Sequence, residues 1–202
     1  MLAQTATMVY KYPKDGQTYL LNLIDTPGHV DFSYQVSRSI RACEGAVLVV
    51  DATKGIQAQT ISNFYHAFDA SLQIIPVINK IELAAADIPA TEEQLVDELD
   101  FDPDDLLYIS AKSGKGVDQV FESIIERVPP PMAPVMLETE EQLDPKKDLL
   151  KCFLFDARFV PERGGVACLI KVMSGTLDIE SVRQVMSFYM RKRYEVYQVG
   201  IV

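Results

Sequence analysis

Leu21-Asn-Leu-Ile-Asp25-Thr-Pro-Gly28-His29-Val-Asp31-Phe-Ser-Tyr34 changes texture twice within a short span. An apolar strand from Tyr19 to Ile24 stops at Asp25, a Thr26-Pro27-Gly28 turn follows, and a run with helical spacing begins. A carboxylate ending a buried strand, followed closely by a glycine whose bare backbone can approach a ligand, suits a metal-bound phosphate. A Pro-Gly pair alone marks an ordinary strand-turn-helix corner. The complete string Asp25-Thr26-Pro27-Gly28-His29 is far more specific than that.

Upstream, residues 5–12 and 17–24 alternate as strands, and Pro13-Lys14-Asp15-Gly16 between them has the turn chemistry of a β-hairpin. Downstream, Phe32, Val36 and Ile40 fall on one side of a helix that Gly45 breaks. Ala46–Val50, ending at Asp51, is a continuous apolar run, as expected of a strand buried on both faces. Gln57–Phe68 reads as a helix with Ile61, Phe64, Tyr65 and Phe68 as its apolar stripe. Ile74–Ile78 is another buried strand, in which Pro76 predicts an edge or a bulge. Thr91 with Gln94 predicts a capping box opening a helix through Leu99. Leu106–Ile109 then reads as a strand and Val117–Val128 as an amphipathic helix, ended by Pro129-Pro130-Pro131.

Strands and helices alternating in this way predict an α/β fold with a doubly wound sheet, whose ligands bind at the carboxyl ends of the strands. The predicted organisation is one α/β domain over 1–131, a Pro-, Glu- and Lys-rich linker over 132–148, and the start of a β-barrel domain over 149–202. In that last part Leu149–Phe155, Val166–Val172, Ser187 and Tyr189–Val202 are expected to be strands, too few to close a barrel.

Composition narrows the function classes. Hydrophobic residues make up 48%, ample for a core, and the formal charge of -10 argues against a broad basic nucleic-acid face. The one dense positive cluster, Arg191-Lys192-Arg193, reads as a solvated hairpin end. Cys43, Cys152 and Cys168 are widely spaced and form no Cys-x-x-Cys, so they are expected to be reduced, buried thiols; with only two histidines there is no zinc-ligand spacing. No stretch is long and apolar enough to cross a bilayer.

Three loops follow apolar strands expected to belong to one parallel set: Asp25–His29, Asn79-Lys80-Ile81-Glu82 and Ser110-Ala111-Lys112. Each alone has an ordinary explanation, since Asn-Lys after a strand is a common helix-opening turn and Ser-Ala-Lys is close to compositional noise. Together they should face one crevice. An Asn side chain and an aliphatic Lys stem can clasp a purine, a carboxylate accepts its N–H donors, and the Ser-Ala-Lys backbone donates to an exocyclic oxygen. Such a pocket fits guanine and rejects adenine by leaving buried polar groups unpaired.

These residues also carry a family resemblance. Ile24–Tyr34, Val36-Ser-Arg-Ser39, Cys43-Glu-Gly45, Gly55-Ile-Gln-Ala-Gln-Thr60, Ile75-Pro-Val-Ile-Asn-Lys80 and Glu126-Arg-Val-Pro-Pro-Pro131 resemble the LepA, or elongation factor 4, translational GTPases, in wording nearest their mitochondrial form. The resemblance implies a ribosome-dependent enzyme of protein synthesis, acting in fidelity and back-translocation, that hydrolyses GTP to GDP. Asp25 would hold Mg²⁺ through water, the Gly28 N–H would contact the γ-phosphate, and His29 would orient the attacking water. Asn79, Lys80, Glu82, Ser110, Ala111 and Lys112 would hold guanine and its sugar. His66, with no partner motif, is read as structural, and Asp31 as a support of the turn. The implied partner is the ribosome, and the implied location is the matrix side of the mitochondrial inner membrane with peripheral membrane association, a bacterial-type cytoplasmic form being the alternative.

The sequence also departs from that family. It contains no Gly-x-x-x-x-Gly-Lys-[Ser/Thr] phosphate loop, which in the family precedes the residue matching Thr5, so the expectation is a truncated chain whose sheet lacks the phosphate-loop strand. Glu82 stands where the family has Asp, and a misplaced charged hydrogen bond costs about 1.5–3 kcal/mol. The barrel hairpin's Gly-Asp is replaced around Asp178-Ile-Glu-Ser181. A rival reading is a non-catalytic GTPase remnant acting as a binding module. A dinucleotide-binding enzyme is disfavoured, because no Gly-x-Gly-x-x-Gly occurs.

Overall fold

The computed structural model describes residues 4–26, 33–131, 150–161, 164–177 and 182–200. The chain divides into two compact units, Met1–Pro131 and Met132–Val202.

The first unit opens with β1 (Gln4–Lys11) and β2 (Thr18–Asp25), antiparallel throughout, with Gln4 facing Asp25 and Lys11 facing Thr18. Its turn closes through Tyr12 N–H donating to Gln17 O and Gly16 N–H to Tyr12 O, both 2.9 Å. After α1 (Ser33–Ile40), which buries Val36 and Ser39, strands and helices alternate: β3 (Gly45–Asp51), α2 (Ala58–Asp69), β4 (Gln73–Asn79), α3 (Ile88–Leu99), β5 (Leu107–Ile109) and α4 (Val117–Arg127). β3, β4 and β5 form a parallel sheet in that order.

β4 explains why an unbroken apolar run is needed. Its Ile74 and Ile78 pack with Phe64 and Ala67 of α2 and Leu95 and Leu99 of α3. Its Ile75 and Val77 pack with Ile109 and Val120 of α4. Helices therefore cover both faces, so both sets of alternating side chains are apolar. Leu95 is fully buried, which contributes about 2 kcal/mol by transfer alone. The β1–β2 hairpin rests on α4, with the Tyr10 ring 5.3 Å from that of Phe121 and the Tyr12 hydroxyl donating to Glu126.

Several expectations are corrected. Pro76 lies neither at an edge nor in a bulge: it is buried in the central strand, opposite Leu48. The β5 ladder begins only at Val77, so a residue without an N–H is accommodated just before it. Thr91 does not open α3. The cap is Asp87, whose carboxylate accepts from Ala90 N–H at 3.1 Å with Pro89 in the first turn. Thr91 is buried in the helix and donates to Asp87 O, while Gln94 reaches out to accept from Ile56 N–H at 2.8 Å. Among the described residues β2 pairs with β1 in a two-stranded antiparallel sheet and not with the parallel set.

The second unit contains β6 (Lys151–Val160) antiparallel to β7 (Gly165–Ser174), and β8 (Gln184–Met186) antiparallel to β9 (Arg193–Glu195). Among the described residues no ladder joins the two pairs. The strand expected from Tyr189 onward is confined to β9, because residues 187–192 fold into the hairpin's end, where Ser187 N–H donates to Lys192 O at 2.9 Å. Cys152 and Cys168, expected to be buried, are exposed on β6 and β7, and Cys43 is half-buried. The linker expected over 132–148 and the segment 178–181 lie outside the described residues.

Candidate functional site

The carboxyl ends of the three parallel strands stand level. Asp51 pairs with Asn79, and Asn79 with Ile109, so the residues following them line one rim. The Asn79 side chain binds that rim together: its Oδ1 accepts from Lys80 N–H at 2.7 Å and from Ala111 N–H at 3.0 Å. The first bond holds Lys80 in a left-handed conformation, φ 67°, which costs a non-glycine residue roughly 1–2 kcal/mol. The second pins the loop after β5 to the end of β4.

Lys80 then turns across the strand ends, and its Nζ lies 2.5 Å from Asp51 Oδ2. The other Asp51 oxygen accepts from Thr53 N–H at 2.9 Å and from the Thr53 hydroxyl at 2.7 Å. The Lys80 ammonium and then the Thr53 hydroxyl hold the Asp51 carboxyl down at about 2, against an ordinary 3.8. The Glu82 carboxyl also lies below its ordinary range, chiefly through its hydrogen bond with Ser110, with its own backbone, Lys112 and Lys80 acting in the same direction. Ser110 is fully buried; its N–H donates to Lys115 O at 2.9 Å and its hydroxyl accepts from Ser113 N–H at 3.2 Å.

A close turn keeps this loop in place. Gly116, at φ 76°, begins α4, and a Cβ there would stand 2.3 Å from Tyr108 O, so only glycine lets the chain double back against β5.

Six residues expected at the site thus gather at one rim: Asn79, Lys80, Glu82, Ser110, Ala111 and Lys112. Asp25 ends β2 in the separate antiparallel sheet, exposed, and no described ladder carries it to the parallel rim. Gly28 and His29 lie outside the described residues. Sequence reasoning passed over Asp51 and Thr53 as site residues. The signal was available, since Asp51, like Asp25, closes a largely apolar run, although β2 is mostly exposed and β3, with Val49 53% exposed, is not buried on both faces.

Chemically, the rim offers a carboxylate to accept from N–H donors, carboxamide donors, backbone N–H groups and a long aliphatic stem ending in an ammonium. That set suits a flat, hydrogen-bonding heterocycle.

Residues 2–130 match the family described as Elongation factor Tu GTP binding domain. The chain is 49% identical over 199 residues to the mitochondrial translation factor GUF1 homolog of Dictyostelium discoideum, covering 98% of this chain and 27% of that protein. It is 45% identical over 197 residues to elongation factor 4 of Aquifex aeolicus, covering 98% of this chain and 30% of that protein. Its fold is similar to that of a bacterial selenocysteine-specific elongation factor, EF-Sec, with a TM-score of 0.65 and 22% identity over 98% of this chain and 32% of that one. The chain spans less than a third of the length of these curated relatives. The resemblance to elongation factor 4 and its mitochondrial form, read from the motifs, is matched by these relatives. By the match over nearly all of its first unit, this chain belongs to the family of elongation factor Tu GTP-binding domains.

Proposed function

We propose that the rim of Asn79, Lys80, Glu82 and Ser110–Lys112 holds the base and sugar of GTP or GDP, and that the longer protein hydrolyses GTP on the ribosome. The observation that carries this reading is the Asn79 carboxamide, whose oxygen locks the ends of β4 and β5 through Lys80 N–H and Ala111 N–H. Its N–H donors are then offered to a purine from a fixed position. Glu82 accepts from the N–H groups that guanine has and adenine lacks, the Lys80 stem covers the ring, and Ala111 N–H is shared with the exocyclic oxygen. Adenine would leave these groups unpaired. Glu82 carries one methylene more than the aspartate of the family's pattern, so its carboxylate is displaced from the base and selectivity is weaker than a shorter carboxylate would give.

At the phosphate end the proposal assigns Asp25, Gly28 and His29. Asp25 is an exposed carboxylate at the end of β2, a hard oxygen donor of the kind Mg²⁺ takes alongside waters and the phosphate oxygens themselves. The chemistry Mg²⁺ supplies when bound is neutralisation of charge on the phosphate oxygens. Gly28 offers its N–H to the γ-phosphate. His29 orients a water for attack on the γ-phosphorus, the bond to the bridging oxygen breaks, and GDP and phosphate leave. The proposed partner is the ribosome and the proposed compartment the mitochondrion, with the inner-membrane matrix side as the specific location.

Titration of a fluorescent GDP analogue into the chain tests the base site. Binding competed by GDP and not by ATP, and lost in Asn79→Ala, is expected; equal competition by ATP, or no binding, overturns it. In the full-length protein His29→Ala is expected to lower ribosome-stimulated turnover, and unchanged turnover overturns that assignment.

A second reading, a binding module without catalysis, is favoured by one observation. The Lys80 ammonium of the rim is already paired with the Asp51 carboxylate. It predicts no competition by any nucleotide.

A further inference from the structure

Away from the rim, one surface carries groups that neither the core nor the nucleotide site uses. β8 and β9 have three residues each, all exposed. The turn between them is well tied: Ser187 N–H donates to Lys192 O and Arg191 N–H to Ser187 O, both at 2.9 Å, and the Ser187 hydroxyl accepts from Met190 N–H at 3.1 Å. Arg191 is left-handed, φ 55°. This fixed tip presents two rings to solvent, Phe188 at 80% and Tyr189 at 96% exposure. The Arg191 guanidinium lies 5.1 Å from the Phe188 ring centroid.

Charge says what kind of partner fits. Between Arg183 and Tyr197 stand Arg183, Arg191, Lys192 and Arg193 against the single carboxylate of Glu195, in a chain whose formal charge is -10. The surface is therefore a local cationic spot on an acidic protein, complementary to a polyanion and too small for the broad basic face of a duplex-binding protein. Exposed rings beside cations match an unpaired nucleic-acid strand, whose bases stack while its phosphates are neutralised. A membrane-seated segment instead uses a continuous apolar face rich in Trp, Phe and Leu. The sequence has no Trp, and three of the four rings between Phe188 and Tyr197 are tyrosines.

We propose that the β8–β9 hairpin is a binding site for single-stranded RNA, with bases stacking on Phe188 and Tyr189 and phosphates held by Arg191, Lys192 and Arg193. The site is independent of the nucleotide rim, so failure of one leaves the other standing.

The test is fluorescence anisotropy of a labelled oligo-uridine of about 12 nucleotides with the full chain, from about 50 to about 200 mM KCl. Binding that weakens with salt is expected. Phe188→Ala with Tyr189→Ala should weaken it roughly thirtyfold or more with the salt slope unchanged. Arg191→Ala with Lys192→Ala should instead reduce the slope by about 1.4. Phe188→Leu, which keeps apolar area but removes the ring, should bind as poorly as Phe188→Ala, and Tyr189→Phe should bind like the parent. All these positions are exposed, and unchanged circular dichroism and melting would confirm that the fold persists. No binding at low salt, or binding indifferent to loss of both rings, overturns the proposal. So does pelleting with phosphatidylglycerol vesicles without RNA binding, which would assign the tip to a membrane surface.

Discussion

The Lys80 ammonium stands 2.5 Å from the Asp51 carboxylate, joining the ends of two adjacent parallel strands in which Asp51 lies level with Asn79. The pair is an electrostatic clasp at the mouth of the proposed base site. Lys80 is about half exposed, at 46%, so solvent screening holds its contribution to about 1 kcal/mol.

Replacing Asp51 with Asn should therefore lower stability at neutral pH by about that amount. Because the folded Asp51 carboxyl sits at about 2 against 3.8, its contribution is fully present above 3.8 and disappears as pH falls through about 2. Urea titrations of parent and Asp51→Asn should differ at pH 7 and converge near pH 2. A difference independent of pH would contradict the clasp.

Asn79 should separate stability from recognition. Asn79→Ala removes the acceptor for Lys80 N–H and Ala111 N–H, and should cost about 1–2 kcal/mol and speed exchange of those two amides. Asn79→Asp keeps an acceptor and discards the donors. It should retain most of the stability and protection while losing competition by GDP.

Gly116→Ala should destabilise by more than about 2 kcal/mol, adding a clash to left-handed strain, since its Cβ would meet Tyr108 O at 2.3 Å. Gly114, at φ 80°, has open space around it. Gly114→Ala should thus show the strain alone, about 1 kcal/mol. Denaturant melts of the two variants, compared side by side, measure the difference.

The β1–β2 hairpin is tied to α4 by Lys14, whose Nζ lies 2.5 Å from Glu126 Oε1 and 3.6 Å from Glu122 Oε2, and by the Tyr12 hydroxyl. The Lys14 ammonium, and then the Tyr12 hydroxyl, hold the Glu126 carboxyl below its ordinary 4.5. The tie is present above that pH and weakens as acid protonates Glu126. Glu126→Gln should speed hydrogen exchange at Tyr12 and Gly16 roughly two- to fivefold at pH 7, with the gap closing in acid. Equal exchange at both pH values would discount the tie.

Local pattern made much of the fold legible before any coordinates. The hairpin over 5–12 and 17–24 appears as Gln4–Lys11 with Thr18–Asp25, and the helix read over 117–128 appears as Val117–Arg127. Alternation, period and turn chemistry act within a few residues, so they survive in the sequence. Pro76 misled because an edge is a property of neighbours, and a short β5 beginning opposite Val77 is what admits it. The opening of α3 was misplaced because Asp87 and Thr91 both offer capping chemistry, and only the tertiary fold brought the distant Ile56 N–H to donate to Gln94.

Sequence alone determined the alternation of strands and helices, the motif strings and the family, because each depends on residues close together in the chain or on their order. Tertiary structure decided which distant groups meet: Lys80 with Asp51, Asn79 with Ala111, and the Arg191 guanidinium over Phe188 on a tied hairpin end. Those partnerships depend on strand register and on turns closed in the left-handed region, and neither leaves a periodic trace in the order of residues.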